Sequence, residues 1–250
     1  MKKITAFLLI YLLFSCKSDP VLFELTTSVN PLESGVISPN QGTVWLGDQI
    51  EVSAIPNTGY SFVKWSGDLN DSINPISLII DSNKDIVAEF TEMTKIPDNF
   101  FEKYLIEIGI DDKLDGYVKT EEIEKITSLN LTNKEINDFT GIEDFINLKV
   151  LIADNNFISI LDLSFNVELE ILMLNDNLLE SLDLSNNINL KILSLNNNSL
   201  SSLDLSLNLD LTDFSAINNI LLSCVKISNT QVNISLNWNV DSSTLFNTSC

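Results

Sequence analysis

The strongest pattern in the chain is a recurrence of apolar positions. Leu151, Leu172, Leu193 and Phe214 stand 21 residues apart, and Ala153, Leu174, Leu195 and Ala216 follow two positions behind them. Asn156, Asn177, Asn198 and Asn219 keep the same interval, as do Ile158, Leu179, Leu200 and Leu221. Alternation of apolar and polar residues over each short run predicts a strand with one face inward. The asparagine that follows predicts a corner whose backbone groups need a buried partner, and a primary amide offers donors and an acceptor together. The second half of each period repeats too. Leu161-Asp162-Leu163, Leu182-Asp183-Leu184 and Leu203-Asp204-Leu205 align, with Asn166, Asn187 and Asn208 behind them. Each turn thus reads as two arms, each a short strand and an asparagine corner. One turn cannot bury its own apolar face, so stability must come from stacked neighbours. In this register Cys224 falls in the column of Leu161, Leu182 and Leu203.

The flanks carry other periods. From Ile96 to Ile108 the spacing is helical, with Phe100, Phe101, Tyr104, Leu105 and Ile108 on one side, Asp98 as N-cap after Pro97, and Gly109 as the stop. Ile126 to Ile136 is a degenerate first turn, with Leu129 and Leu131 inward and Lys134 where asparagine is expected. Gly141 to Phe145 leads into the regular turns. Before the helix, short alternating runs are punctuated by proline and glycine. Ile50 to Ala54 predicts a half-buried strand, and Ile76–Asp81 and Asp85–Thr91 predict two more, joined by Ser82-Asn83-Lys84 as a tight hairpin. Together they suggest a small sandwich or open barrel. At the N-terminus Lys2 and Lys3 precede an apolar run from Ile4 to Phe14. That run is too short to span a bilayer comfortably and has the anatomy of an export signal.

Several segments resemble known families. The frame L-x-x-L-x-L-x-x-N-x-L, matched completely from Leu190 to Leu200, is the leucine-rich-repeat signature. Leu13-Phe14-Ser15-Cys16 resembles a bacterial lipobox, which implies lipidation of Cys16 and a short tether behind it. The other reading is an ordinary secretory signal with Cys16 incidental. Gly35-Val36-Ile37-Ser38-Pro39, then Gly47 to Ala54, then Gly59-Tyr60-Ser61-Phe62-Val63-Lys64-Trp65-Ser66-Gly67, then Val87-Ala88-Glu89-Phe90 resemble the divergent B-repeat module of internalin-type bacterial surface proteins. That resemblance implies a ubiquitin-like or grasp-like β domain acting as stalk or adhesive spacer. Ile96-Pro97-Asp98-Asn99-Phe100, Gly109-Ile110-Asp111 and Leu114-Asp115-Gly116, ahead of the repeats, resemble the leucine-rich-repeat proteins of Bacteroidetes cell surfaces. In that family a Cys…Trp…Cys tail follows, and Trp238 lies between Cys224 and Cys250. The expected architecture is mainly β: a lipoprotein signal at 1–16, a tether at 17–21, a B-repeat domain at 22–92, a helical N-terminal cap at 95–128, leucine-rich repeats at 129–222 and a C-terminal cap at 223–250.

Composition narrows the chemistry. The 250 residues include 35 Asp+Glu against 14 basic residues, all lysine, with no histidine, for a formal net charge of −21. Such a chain repels phosphate backbones, so no nucleic-acid partner is expected. It lacks the usual general base and commonest zinc ligand, and it lacks the bidentate arginine clamp. Carboxylate-pair or Lys/Ser chemistry is what remains open to an enzyme. No cofactor and no metal is expected. With Cys16 assigned to lipid, Cys224 and Cys250 remain as a pair that an oxidising envelope would join; two free thiols in a reducing compartment are the alternative.

Four groups of residues need a reading. Asp111-x-Lys113-x-Asp115-Gly116-x-Val118-x-x-x-Glu122 half matches a calcium-binding EF-hand loop, but Lys113 stands where a ligand is required, so it reads as a capping turn. Asp162, Asp183 and Asp204 share one column, where like charges are expected to raise each other's pKa. That column reads as a solvated face, with a strip for calcium or a cationic partner as the other reading. Trp45, Tyr60 and Trp65 read as core of a small domain rather than a carbohydrate-stacking platform. The exposed strand face carries Ile152, Met173, Ser194 and Ser215, flanked by Asp154, Asn175, Asn196 and Ile217, and this is the expected ligand face. The function expected is a lipid-anchored envelope protein at the outer membrane, surface-exposed and non-catalytic, that binds protein or glycan and touches the membrane through its lipid alone. A structural spacer is the alternative. A carboxylate-pair glycosidase ranks third, because the acidic columns are regular rather than convergent.

Overall fold

A computed structural model describes residues 19–232 and 238–250. The segment 1–16 that is expected to be an export signal, with Cys16, lies outside the described residues. The described residues divide into two compact units, one of those up to Ile55 with Phe62–Glu89 and one of Pro56–Ser61 with those from Phe90 on.

The N-terminal unit is built of strands. They are β1 (Leu22–Asn30), β2 (Gly35–Ser38), β3 (Gln41–Trp45), β4 (Gln49–Pro56), β5 (Tyr60–Gly67), β6 (Ile76–Ile79) and β7 (Lys84–Lys95). One sheet runs β3-β1-β7-β5 and another β2-β4-β6. The first and last strands are adjacent and parallel, Leu25 opposite Lys84 and Asn30 opposite Glu89. The two runs expected to form a hairpin do not pair. β6 lies antiparallel to β4, and β7 lies between β1 and β5. Both runs carry core residues, Ile80 just after β6 and Ile86 in β7, so each closes a different sheet over the core and the link between them crosses from one sheet to the other. Trp65 is fully buried, donates its indole N–H to the Ile73 carbonyl (2.9 Å) and lies 5.2 Å from the Phe62 ring. Trp45 is exposed and Tyr60 half-buried.

The C-terminal unit opens with α1 (Asn99–Glu107), β8 (Tyr117–Lys119), which pairs with Met93–Lys95, and α2 (Thr120–Ile123). One carboxylate oxygen of Asp98 accepts from the backbone N–H of Phe100 and Phe101, satisfying two orphan donors of α1. Its other oxygen accepts from Asn137 and Asp138, tying the cap to the first turn. The buried stripe of α1 is narrower than its period suggested. Phe101 and Leu105 are fully buried, whereas Phe100 and Ile108 are exposed, and the buried residue beside Phe101 is Glu102. Gly141 holds φ 98°, and a Cβ there would lie 2.5 Å from the Lys95 carbonyl oxygen, so only glycine fits where the chain turns into the regular repeats.

The repeats stack as a solenoid. β9 (Ser128–Asn130), β10 (Val150–Ile152), β11 (Ile171–Met173), β12 (Ile192–Ser194), β14 (Asp213–Ala216) and β16 (Asn239–Val240) form one parallel six-stranded sheet. Leu151, Leu172, Leu193 and Phe214 face one another in register along it. β13 (Leu203–Asp204), β15 (Cys224–Lys226) and β17 (Leu245–Asn247) form a second parallel sheet from the other arm. One continuous core runs from Ile96 to Trp238. Trp238 closes its end, edge-on to Phe214 and Phe246 and donating to the Thr212 carbonyl (3.0 Å).

The last turn departs from the 21-residue register. Leu222, not Leu221, is buried, and Val225, not Cys224, stands opposite Leu203. Three consecutive apolar residues, Ile220-Leu221-Leu222, let the chain slip by one and leave the first two exposed. The slip keeps Val225 in the core and turns Cys224 outward, where it bonds Cys250 across 26 residues. Closing that loop restricts the unfolded chain, so Cys250→Ser is expected to cost about 2–4 kcal/mol. Denaturant melts of the variant beside the oxidised parent measure this; coincident midpoints would mean that β15 and β17 hold the tail without the bond.

Candidate functional site

Three polar residues in a row close each regular turn, and each has its own task. The first caps the next turn. Asp154 Oδ1 accepts from the backbone N–H of Asn175 (2.7 Å), Asn175 Oδ1 from Asn196 (2.9 Å), and Asn196 Oδ1 from Ile217 (2.8 Å). The second bends the chain. Asn155, Asp176, Asn197 and Asn218 hold φ of 57°, 56°, 55° and 62°, in the left-handed region that other L-residues enter at a cost of about 1–2 kcal/mol. The third is buried and bridges turns. Asn198 Nδ2 donates to the carbonyls of Leu174 (2.9 Å) and Leu195 (3.1 Å), and its Oδ1 accepts from Leu179 (3.1 Å). Asn156, Asn177 and Asn219 make equivalent contacts. Asp241 ends the series by accepting from the N–H groups of Asn218 and Asn219 (3.0 Å each).

The other arm has a simpler ladder. Asn187 Nδ2 donates to the carbonyls of Leu163 (3.0 Å) and Asn166 (2.9 Å), but the side-chain oxygens of Asn166, Asn187 and Asn208 have no hydrogen-bond partner. Gln231 continues this ladder, donating to Leu205 and Asn208. Its place breaks the 21-residue interval, so the period alone passes over it.

The expected ligand face lies on the six-stranded sheet. Ile152, Met173, Ser194 and Ser215 are half-buried there. Ser194 Oγ donates to Asn175 Oδ1 (2.7 Å), Ser215 Oγ to Asn196 Oδ1 (2.6 Å), and Asn196 Nδ2 to Ser194 Oγ (3.1 Å). The polar groups of this face hold one another, which makes it a fixed strip beside an apolar end rather than a row of free donors. A shallow depression of about 220 Å³ crosses it between Met173, Ser194, Ser215 and Asn239.

A larger open cavity of about 610 Å³ lies elsewhere, on the arm that carries Asp162, where the regular turns begin. Ile160 and Phe165, 84% and 63% exposed, stand at its mouth. Its signature in the sequence is two large apolar residues at outward positions, outside the repeating columns. Its acids are committed as loop caps. Asp138 accepts from Thr140 N–H (2.8 Å), Glu143 from Gly141 N–H (2.8 Å) and Asp162 from Ser164 N–H (2.9 Å).

The aspartate column behaves opposite to expectation. The backbone N–H of Ser164 holds Asp162 below the ordinary carboxylate range, and that of Ser185 does the same for Asp183, outweighing the repulsion of Asp162 and Asp204. Burial pushes Asp204 up, but the Lys226 ammonium (2.8 Å) and Ser206 together bring it below the ordinary value. A hydrogen bond two residues along the chain is short and directional, whereas repulsion across turns is screened by solvent. A general acid for glycoside hydrolysis needs its pKa raised, and Asp162, the column's member in the larger cavity, is shifted the other way.

Residues 25–94 match the family model of the Divergent InlB B-repeat domain. No curated protein matches the chain. Among solved structures the chain is similar to the functional domain of InlJ from Listeria monocytogenes, described as including a cysteine ladder, at 25% identity and a TM-score of 0.44, over 55% of this chain and 38% of that one. It is also similar to an internalin, inlF, from Listeria monocytogenes, at 23% identity and a TM-score of 0.46, over 61% of this chain and 56% of that one. The chain therefore spans less than two thirds of either.

Proposed function

We propose that the protein is a non-catalytic binding module of the bacterial cell envelope, recognising a protein or glycan through the exposed face of its six-stranded parallel sheet. The observation that carries this reading is the fixed polar strip Asp154–Asn175–Asn196 running beside Ile152 and Met173. Rigid, self-satisfied polar groups next to an apolar spot present a preorganised surface, which limits the ordering cost of binding. Export and anchoring through a lipidated Cys16 complete the reading, in the manner of surface lipoproteins. No helix among the described residues is long and apolar enough to cross a membrane.

Affinity capture tests the reading. The oxidised chain from residue 18 serves as bait against envelope extracts and polysaccharide fractions, beside an Ile152→Asp/Met173→Asp variant. A partner retained by the parent and lost by the variant is expected. A partner lost instead with Ile160→Asp/Phe165→Asp would move the site to the larger cavity. Capture of nothing from any fraction would favour a spacer over a receptor.

A further inference from the structure

Helix α1 and the turn that joins it to β8 each hold a carboxylate oxygen that the fold leaves without a partner. Glu102 is fully buried. Its Oε1 accepts from the backbone N–H of Asp115 (2.8 Å) and Gly116 (2.6 Å), while Oε2 is buried with no hydrogen bond. Asp111 is arranged alike. Oδ1 accepts from Asp112 N–H (2.9 Å), and Oδ2 is buried and unpartnered. A carboxylate oxygen withdrawn from water without a donor is among the costliest of buried groups, unless a cation or a proton stands before it.

The surrounding chain has the form of a calcium loop. With Asp111 as first position, Gly116 is sixth and holds φ 84°. Tyr117–Lys119 make the short strand β8, Val118 at its centre is fully buried, and α2 follows at once. Helix, glycine-turned loop, strand and helix in this order gather oxygen ligands around Ca²⁺. Lys113 at the third position was the reason to set the loop aside. Its ammonium pairs with Asp115 at 2.5 Å on a side chain 60% exposed, so it sits at the rim and makes no hydrogen bond to either orphaned oxygen. Glu102, in the first turn of α1, supplies from outside the loop the carboxylate that Lys113 takes away.

We propose that this loop binds one Ca²⁺, with Glu102 Oε2 and Asp111 Oδ2 as its carboxylate ligands. Among the described residues no three metal-ligating side chains are gathered in one place, so loop carbonyls and water complete the shell. Two carboxylates are a low charge count, which places the affinity among the weak extracellular sites, Kd about 0.1–1 mM. The ion ties the first turn of α1 to the loop that follows the helix and thereby steadies the cap of the solenoid.

The test is calorimetric titration of the chelator-stripped, oxidised full chain with CaCl₂, together with thermal melts. A one-site isotherm is expected, with Tm raised by about 3–5 °C at roughly ten times the Kd. Asp111→Asn keeps an oxygen for Asp112 N–H and is expected to abolish both signals. Glu102→Gln is expected to do the same, and Asp111→Asn carries the test if that variant does not fold. Lys113→Asn, which removes the ammonium at the rim, is expected to tighten binding. Absence of heat and of a Tm shift in the parent would overturn the proposal and leave a shared proton as the occupant. Calcium binding that persists in Asp111→Asn would also overturn it and direct the ion to Asp162, Asp183 and Asp204.

Discussion

Trp65→Ala is expected to destabilise the N-terminal unit by about 3–5 kcal/mol, the range for removing a fully buried large aromatic side chain. Two losses add. The indole leaves a cavity against Phe62, and the Ile73 carbonyl loses its donor. Domains of this size hold only about 5–15 kcal/mol in total, so the variant stands close to unfolding. Trp45→Ala is the internal control. Its side chain is 46% exposed, and the change is expected to cost less than about 1 kcal/mol. Denaturant unfolding of both variants, followed by far-ultraviolet circular dichroism, measures the difference. A loss below 1 kcal/mol for Trp65→Ala would mean that the core of this unit rests on other residues.

The same pair shows how far the sequence can be read. A core role for large aromatics follows from the size of the unit, and it holds for Trp65 but not for Trp45, because exposure depends on which face of a strand meets the core. Strand positions were legible from alternation, whereas pairing was not. Nothing in Ser82-Asn83-Lys84 announces that β6 and β7 belong to different sheets, since sheet membership is a long-range property. The solenoid was legible almost turn by turn, because each column repeats a local constraint. Its failures fall where the constraint relaxes: at Leu221 and Cys224, where three apolar residues offer two registers, and at Gln231, where a longer side chain takes over an asparagine's contacts. The candidate site was less legible. The triplet Asn175-Asp176-Asn177 looks uniformly polar, yet its members cap, bend and bridge, and only backbone geometry separates these tasks. Glu102 was hidden by the helical period, which treats a polar residue beside Phe101 as solvent-facing.

The bridging residues carry the second large effect. Asn198→Leu is expected to cost about 2–4 kcal/mol. It strands the buried N–H of Leu179, at about 1–3 kcal/mol, and takes one of two donors from each of the Leu174 and Leu195 carbonyls, which keep Asn177 and Asn219, partly offset by the apolar area that leucine adds. Asn187→Leu, on the other arm, is expected to cost about 1–2 kcal/mol less. It takes one of two donors from each of the Leu163 and Asn166 carbonyls, which keep the backbone N–H groups of Asn166 and Leu169, and it strands no N–H, the group that tolerates loss of its partner least. It also removes an oxygen that already had no partner. The two substitutions are chemically identical and both sites are buried, so a difference between them isolates the acceptor contact. Equal losses in denaturant melts would show that the Asn198 side-chain oxygen contributes nothing net, and that both ladders act through their donors alone. A larger loss at Asn198 would place the stability of the candidate binding face on its own asparagine ladder, because Leu174 and Leu195 directly follow the strands that display Met173 and Ser194.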